Sequence, residues 1–212
     1  MLKTSLRAHS RRQKGSCMEA ASASYHRILL GQGLLCLCCI VYLIWWSVSF
    51  RPGQEVNRVG GARGIFLLGT AALGIAGVYL SVMGLSALPK GAEKLSAPGI
   101  CIAGAAMYVG LLAVTAVFFH RPVTTELFLI VGFWVLEWCA ANALNAGGFL
   151  ADPRLVISLV VSSAVFAAGM VLYVLYYRVE AWRAFYLAMV PLALDGGAAL
   201  LLLLLALCLN FQ

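Results

Sequence analysis

The sequence predicts an all-α fold, a polytopic membrane protein built as a six-helix transmembrane bundle with short loops. Three observations predict it. Of 212 residues, 63% are apolar or aromatic and 11% are charged, whereas a soluble domain carries about 25% charged residues. The apolar residues gather into runs that match the roughly 20 helical residues needed to cross a bilayer core of about 30 Å. The runs also lack the alternation of barrel strands: Leu200 to Leu207 and Leu155 to Tyr177 show no two-residue period. A disordered chain would be poor in such residues. Six spans leave no room for a soluble catalytic domain.

Residues 1–24 form a polar, Ser-rich tail in which Lys3, Arg7, Arg11, Arg12 and Lys14 precede the first acid, Glu19. Three readings compete: a retained tail that meets anionic lipid headgroups, a transit-like leader, or an upstream extension before a start at Met18. A cleaved secretory signal does not fit, because the following apolar run is too long and ends at Arg51-Pro52-Gly53. The expected setting is a bacterial cell membrane rather than an organelle inner membrane.

The six-helix domain fills 25–212, with spans at about 28–50, 64–88, 95–119, 127–151, 155–177 and 184–210. Pro52, Gly53, Gly60 and Gly61 break the chain after the first span, and Pro89 to Lys94 after the second. His120-Arg121-Pro122 closes the third, Asp152-Pro153-Arg154 turns after the fourth, and Arg178 to Arg183 separates the last two. Links this short predict sequential antiparallel neighbours. Trp45-Trp46, Phe118-Phe119 and Tyr176-Tyr177 each lead into an Arg on one side of the membrane. This is an interfacial aromatic belt or a triplicated hairpin. Orientation turns on the tail. With it, nine Lys and Arg fall on its side against Arg51, Arg58, Arg63, Arg121, Arg178 and Arg183 on the other; without residues 1–17 the balance reverses.

Two acids interrupt the spans, Glu137 in the fourth and Asp195 in the sixth. Each lies some ten residues in from the same side, and at 1.5 Å per residue that is roughly 15 Å deep. No Lys or Arg lies inside the spans to pair with them. An intramembrane acid costs about 2.5–3.5 kcal/mol on insertion scales and points to function by default. The plain alternative is two neutral acids bonding helix to helix. Trp134, Trp138 and Asn145 fall near one stripe of the fourth helix, with Glu137 beside it. Aromatic walls and a carboxylate suit an organic cation, although Trp134 could equally pack at the interface and Asn145 bond to a neighbouring helix. Pro191 one turn before Asp195-Gly196-Gly197 suggests a broken helix of the kind that lines transporter sites.

The second span carries Thr70, Gly74, Gly77, Ser81 and Gly84 at small-xxx-small spacing. Such rows let helices approach closely, within the chain or in a homo-oligomer or partner subunit that meets Gly74, Gly77 and Gly84. Cys36, Cys38 and Cys39 sit among Leu34, Leu35 and Ile40, where they read as apolar packing residues. Zinc motifs pair their ligands differently, and no metal or cofactor is expected. No metalloprotease, serine-hydrolase or Walker signature is present, which weighs against an enzyme. The +7 charge lies largely in the tail, facing the lipid bilayer rather than nucleic acid.

These features favour a small-solute transporter or membrane substrate-binding subunit that takes a small molecule or cation at Glu137, Asp195, Trp134, Trp138 and Asn145. The alternatives are a membrane enzyme acting on a lipid or another apolar substrate, using the two acids as a dyad, and a non-catalytic accessory or scaffold subunit.

Overall fold

The computed structural model describes residues 2–49, 62–88, 95–119, 125–176 and 178–208. They form six α-helices and no strand: α1 (Leu2–Ser49), α2 (Ala62–Ala87), α3 (Ala97–Phe119), α4 (Thr125–Ala146), α5 (Asp152–Tyr176) and α6 (Ala181–Leu207). All six contain a stretch long and apolar enough to cross a membrane. The chain is an integral, multi-pass membrane protein. The side chains of the basic tail, the loop arginines Arg51, Arg58 and Arg63, and His120 and Arg121 lie outside the described residues.

The first helix starts far earlier than the apolar run. It is continuous from Leu2, and its membrane span begins near Ala21. The third helix begins where Ser96 caps it: the Gly99 N–H donates to Ser96 Oγ at 3.3 Å, which satisfies one of the first-turn amides that lack a partner in any helix. The fourth ends at Ala146, five residues before its apolar run does. Apolar character continues to Ala151, but Gly147-Gly148 ends the helix. Gly148 takes φ +77°, a conformation glycine enters without steric penalty. The Phe149 N–H then donates to Leu144 O (2.8 Å) and the Gly148 N–H to Asn145 O (2.9 Å), a Schellman stop.

The helices pack in the order α3, α4, α5, α6, α1, α2, and α4 also reaches α2 and α6. The expectation that all sequential helices are neighbours fails at one place. Helices α2 and α3 do not pack side by side, because both lean on α4. Helix α4 is the most buried span. Ala140, Ala141 and Ala143 let other helices approach it from several sides, and Val135 of α4 fills the space over Gly104 of α3. Lipid-facing residues such as Ile65, Leu68 and Ile75 of α2 and Ile102 and Val109 of α3 are exposed, as expected where the bilayer is the solvent.

Helix α1 has two working faces. Ser24, Ile28, Gly31, Leu35 and Cys38 recur at helical spacing and meet α2. A β-carbon on Gly84 would lie 2.6 Å from Ile28 and 2.9 Å from the Ser24 carbonyl, and one on Gly77 would lie 2.9 Å from Leu35. Gly74 abuts Cys38, whose thiol donates to Thr70 O at 3.3 Å. The row of Gly74, Gly77 and Gly84 therefore packs against α1 of the same chain.

One end of the bundle is densely packed. Tyr25, Ile28, Leu29, Leu88, Leu144, Leu150, Leu155 and Leu202 form one buried cluster where α1 enters and α6 ends. Tyr25 stacks on Phe149 at 4.1 Å and donates to Ala206 O at 3.2 Å. Arg154 donates to Leu205 O at 3.2 Å. The last carbonyls of α6, which have no partner within the helix, are thus bonded from α1 and α5. At the opposite end Trp46 stacks on Phe185 at 6.4 Å, and Arg183 lies over Trp182 at 5.0 Å, in keeping with an aromatic belt.

Candidate functional site

The second face of α1 carries Gln32, Cys36 and Cys39, spaced i, i+4 and i+7 on one stripe. It turns towards α4 and α6. Gln32 is wholly buried and Glu137 of α4 is 2% exposed. Gln32 approaches the Glu137 carboxyl without completing a hydrogen bond of ordinary geometry, so both carboxylate oxygens and both Gln32 amide atoms lack a hydrogen-bond partner among the described residues. Asp195 of α6 is close enough to act on Glu137 electrostatically, and Cys39 feels both acids. The Cys36 thiol donates weakly to Gly196 O at 3.6 Å. A β-carbon on Gly196 would lie 3.0 Å from that of Cys39, which shows how closely α1 and α6 approach beside Asp195.

The structure thus brings the two span acids into one interior region and gives them different surroundings. Glu137 is enclosed against Gln32. Asp195 is half-buried and faces a crevice between α4, α5 and α6, walled by Ile130, Phe133, Trp134, Ser162 and Phe166. The crevice is partly open to the outside and too narrow for a water-sized sphere. Its aromatic wall is continuous: Trp134 lies 5.6 Å from Phe166 and 4.9 Å from Trp138, centroid to centroid. Trp134 is held by one long bond, its Nε1–H donating to Ser163 Oγ at 3.5 Å. Among the described residues Asp195 makes no hydrogen bond and no ion pair.

Trp134 therefore lies beside Asp195, and Trp138 stands behind it with its own Nε1–H buried and, among the described residues, unpartnered. Asn145 is elsewhere. Its Nδ2 donates to Leu150 O (2.8 Å) and to Asp152 Oδ1 (2.9 Å), which ties the α4–α5 turn. Asn142, a turn away, donates to Trp138 O at 2.9 Å and keeps a buried Oδ1 without a partner. The expected break at Pro191 and Gly196-Gly197 is not found, and α6 is helical throughout. Proline costs one backbone bond, and packing against α1 and α5 holds the helix across it.

Sequence reasoning missed Gln32, Ser162 and Phe166. Gln32 carried a signal, since it is the only amide between Ile28 and Val48 of α1. Ser162 and Phe166 carried none, being ordinary residues of an apolar span. Cys36, Cys38 and Cys39 of α1 are free, and among the described residues no group of three or more His, Cys, Asp and Glu is placed to hold a metal ion. A separate apolar groove with His26 at its edge runs between α1 and α6 on the outer surface, remote in chemistry from the acids.

No family model, curated protein or solved structure matches the chain.

Proposed function

We propose that the protein is a carrier of a small solute, or the membrane binding subunit of one, whose transport is coupled to a proton or cation at Glu137 and Asp195. The observation that supports this reading is the Glu137 carboxyl. It lies midway along the central helix, 2% exposed, with Gln32 and Asp195 near it and, among the described residues, no hydrogen-bond partner for either oxygen. A buried polar group left without partners costs about 1–3 kcal/mol or more. A Leu at the same position would pack without that cost, so stability does not account for the acid. A carboxyl that gains and loses a proton as the bundle opens does account for it, since intramembrane acids mark proton and ion pathways. The dense cluster at the Tyr25 end then acts as a closed gate, and the crevice beside Asp195 belongs to the half that opens.

Carboxyl infrared difference spectroscopy tests the reading without knowledge of the solute. Full-length protein in nanodiscs is cycled between acidic and alkaline buffer. A carboxyl C=O band that appears on acidification and is lost in Glu137→Gln is the expected result. Loss of pH-driven solute currents in the same variant, measured on supported membranes with a panel of amines, amino acids and carboxylic acids, would follow. A difference spectrum identical in wild type and Glu137→Gln would overturn the reading.

A further inference from the structure

The crevice at Asp195 has a chemistry of its own. We infer that it is a subsite for a small aromatic or aliphatic amine, with Asp195 as the counter-charge, Trp134 and Phe166 as the walls that face the cation, and Ser162 as a hydrogen-bond acceptor. The inference rests on the carrier reading in taking the bundle interior as the working site, and it assigns the substrate class.

Three independent features converge there. First, the carboxylate of Asp195 lines the crevice and is not consumed by any hydrogen bond or ion pair among the described residues. A carboxylate in an apolar surrounding is stabilised by a cation that also bonds to it. Second, the walls are aromatic. Rings within about 6 Å of a cation attract it through their negative faces, and Phe133, Trp134 and Phe166 all border the same space as the acid. Third, Ser162 is buried at 5% exposure, and its hydroxyl proton is directed to Leu159 O at 3.2 Å. Its oxygen lone pairs are then left for an ammonium N–H. An anion would meet Asp195 unfavourably, and a neutral solute would leave the carboxylate without a partner, so the amine is the class that fits.

The crevice is too narrow for a water-sized sphere, and Trp134 in its wall is weakly held. Trp134 keeps its place through the 3.5 Å bond to Ser163 and contact with Trp138 and Phe166. An entering amine displaces this indole. The Ser163 hydroxyl keeps its own bond to Leu159 O at 2.7 Å when it does. The acid at the crevice and the acid at Gln32 lie close enough to interact, so a cation at Asp195 and a proton at Glu137 compete electrostatically, as exchange of one for the other requires.

The probe is radiolabelled benzylamine, with benzyl alcohol as its neutral counterpart of similar shape. Both are equilibrated by dialysis with the full chain in phosphatidylcholine nanodiscs, and uptake by empty nanodiscs is subtracted. Saturable binding of benzylamine, with the alcohol weaker by about tenfold or more, is expected. Asp195→Asn keeps the side-chain shape and should weaken benzylamine by about tenfold while leaving the alcohol unchanged. Phe166→Leu should weaken it by about threefold or more, and Phe166→Tyr should retain it. Each variant is first shown to run as wild type on gel filtration. Equal binding of amine and alcohol, uptake that never saturates, or an Asp195→Asn variant that binds as wild type would each overturn the subsite. Its failure leaves the Glu137 infrared band untouched, whereas a missing band removes the carrier reading whatever benzylamine does.

Discussion

The seam between α1 and α2 and the interior around Glu137 are both crowded, yet they are built on opposite terms. At the seam, Gly31, Gly77, Ser81 and Gly84 bring two backbones into contact, and the space a side chain would take is already filled. Around Glu137 more buried polar atoms lack a hydrogen-bond partner among the described residues, namely both Glu137 oxygens, the Gln32 amide, Asn142 Oδ1 and Trp138 Nε1, against Ser81 Oγ at the seam. Close small-residue packing holds membrane helices together without a hydrophobic drive between them. Unsatisfied buried polar groups do the reverse. One region is therefore made to stay closed, and the other carries a cost that only a change of state or a bound partner relieves.

The largest expected effect breaks the seam. Gly84→Val would drive a β-carbon and two methyl groups into Ile28 and the Ser24 carbonyl, and backbone cannot yield as a flexible side chain can. Overpacking of this kind costs about 1–3 kcal/mol, and the backbone contact places it at the upper end. A thermal melt in nanodiscs should fall sharply. An unchanged melt would show that α1 does not cover this row. The next effect concerns the closed end. Asn145→Ala removes both bonds that tie Leu150 and Asp152 across the α4–α5 turn and should cost about 1–2 kcal/mol. The melt should drop while the Glu137 infrared band persists, because Asn145 takes no part in the interior cluster.

Glu137→Gln sharpens the contrast from the other side. It keeps the shape, removes the titrating group and should move stability by less than about 1 kcal/mol, while the infrared band and any coupled current disappear. A large loss of stability with coupling intact would instead make Glu137 a helix-bonding residue.

Much of the fold was legible in the residues because it depends on quantities a sequence carries directly. Length and apolarity of each run fix a span, and Asp152-Pro153-Arg154 supplies a turn signal, whereas the stop at Gly147-Gly148 was hidden because the apolar run continues through it. The depth of Glu137 and Asp195 follows from counting residues along helices that enter from one side. What was not legible depends on rotation and partner choice. The row from Thr70 to Gly84 announces a close contact but does not say with which helix, and α1 answered. Asn145 shares a stripe with Trp134 and Trp138 on paper, but it sits in the last turn, where the nearby turn backbone offers bonds that a helix interior does not. Gln32 and Phe166 gained meaning only from the helices packed opposite them. A broken α6 was the natural expectation from Pro191 and two glycines, since both residue types weaken an isolated helix. Tertiary contacts override that tendency here.

The smallest expected effect is also the most discriminating, because it uses two adjacent residues. At Gly196 a β-carbon would lie 3.0 Å from Cys39 Cβ, whereas at Gly197 nothing lies within 4 Å. Alanine is favoured over glycine in a helix by up to about 1 kcal/mol. Gly197→Ala should therefore raise the melting temperature slightly. Gly196→Ala gains the same propensity but must push α1 away by a few tenths of an ångström, so its net effect should be zero or a small loss. That displacement acts on Cys39 and on the neighbourhood of Asp195, so benzylamine affinity should change in Gly196→Ala and not in Gly197→Ala. Identical melts and identical affinities for the two variants would mean that α1 and α6 do not meet at Gly196. The closeness of Gln32, Glu137 and Asp195 would then lose its structural basis.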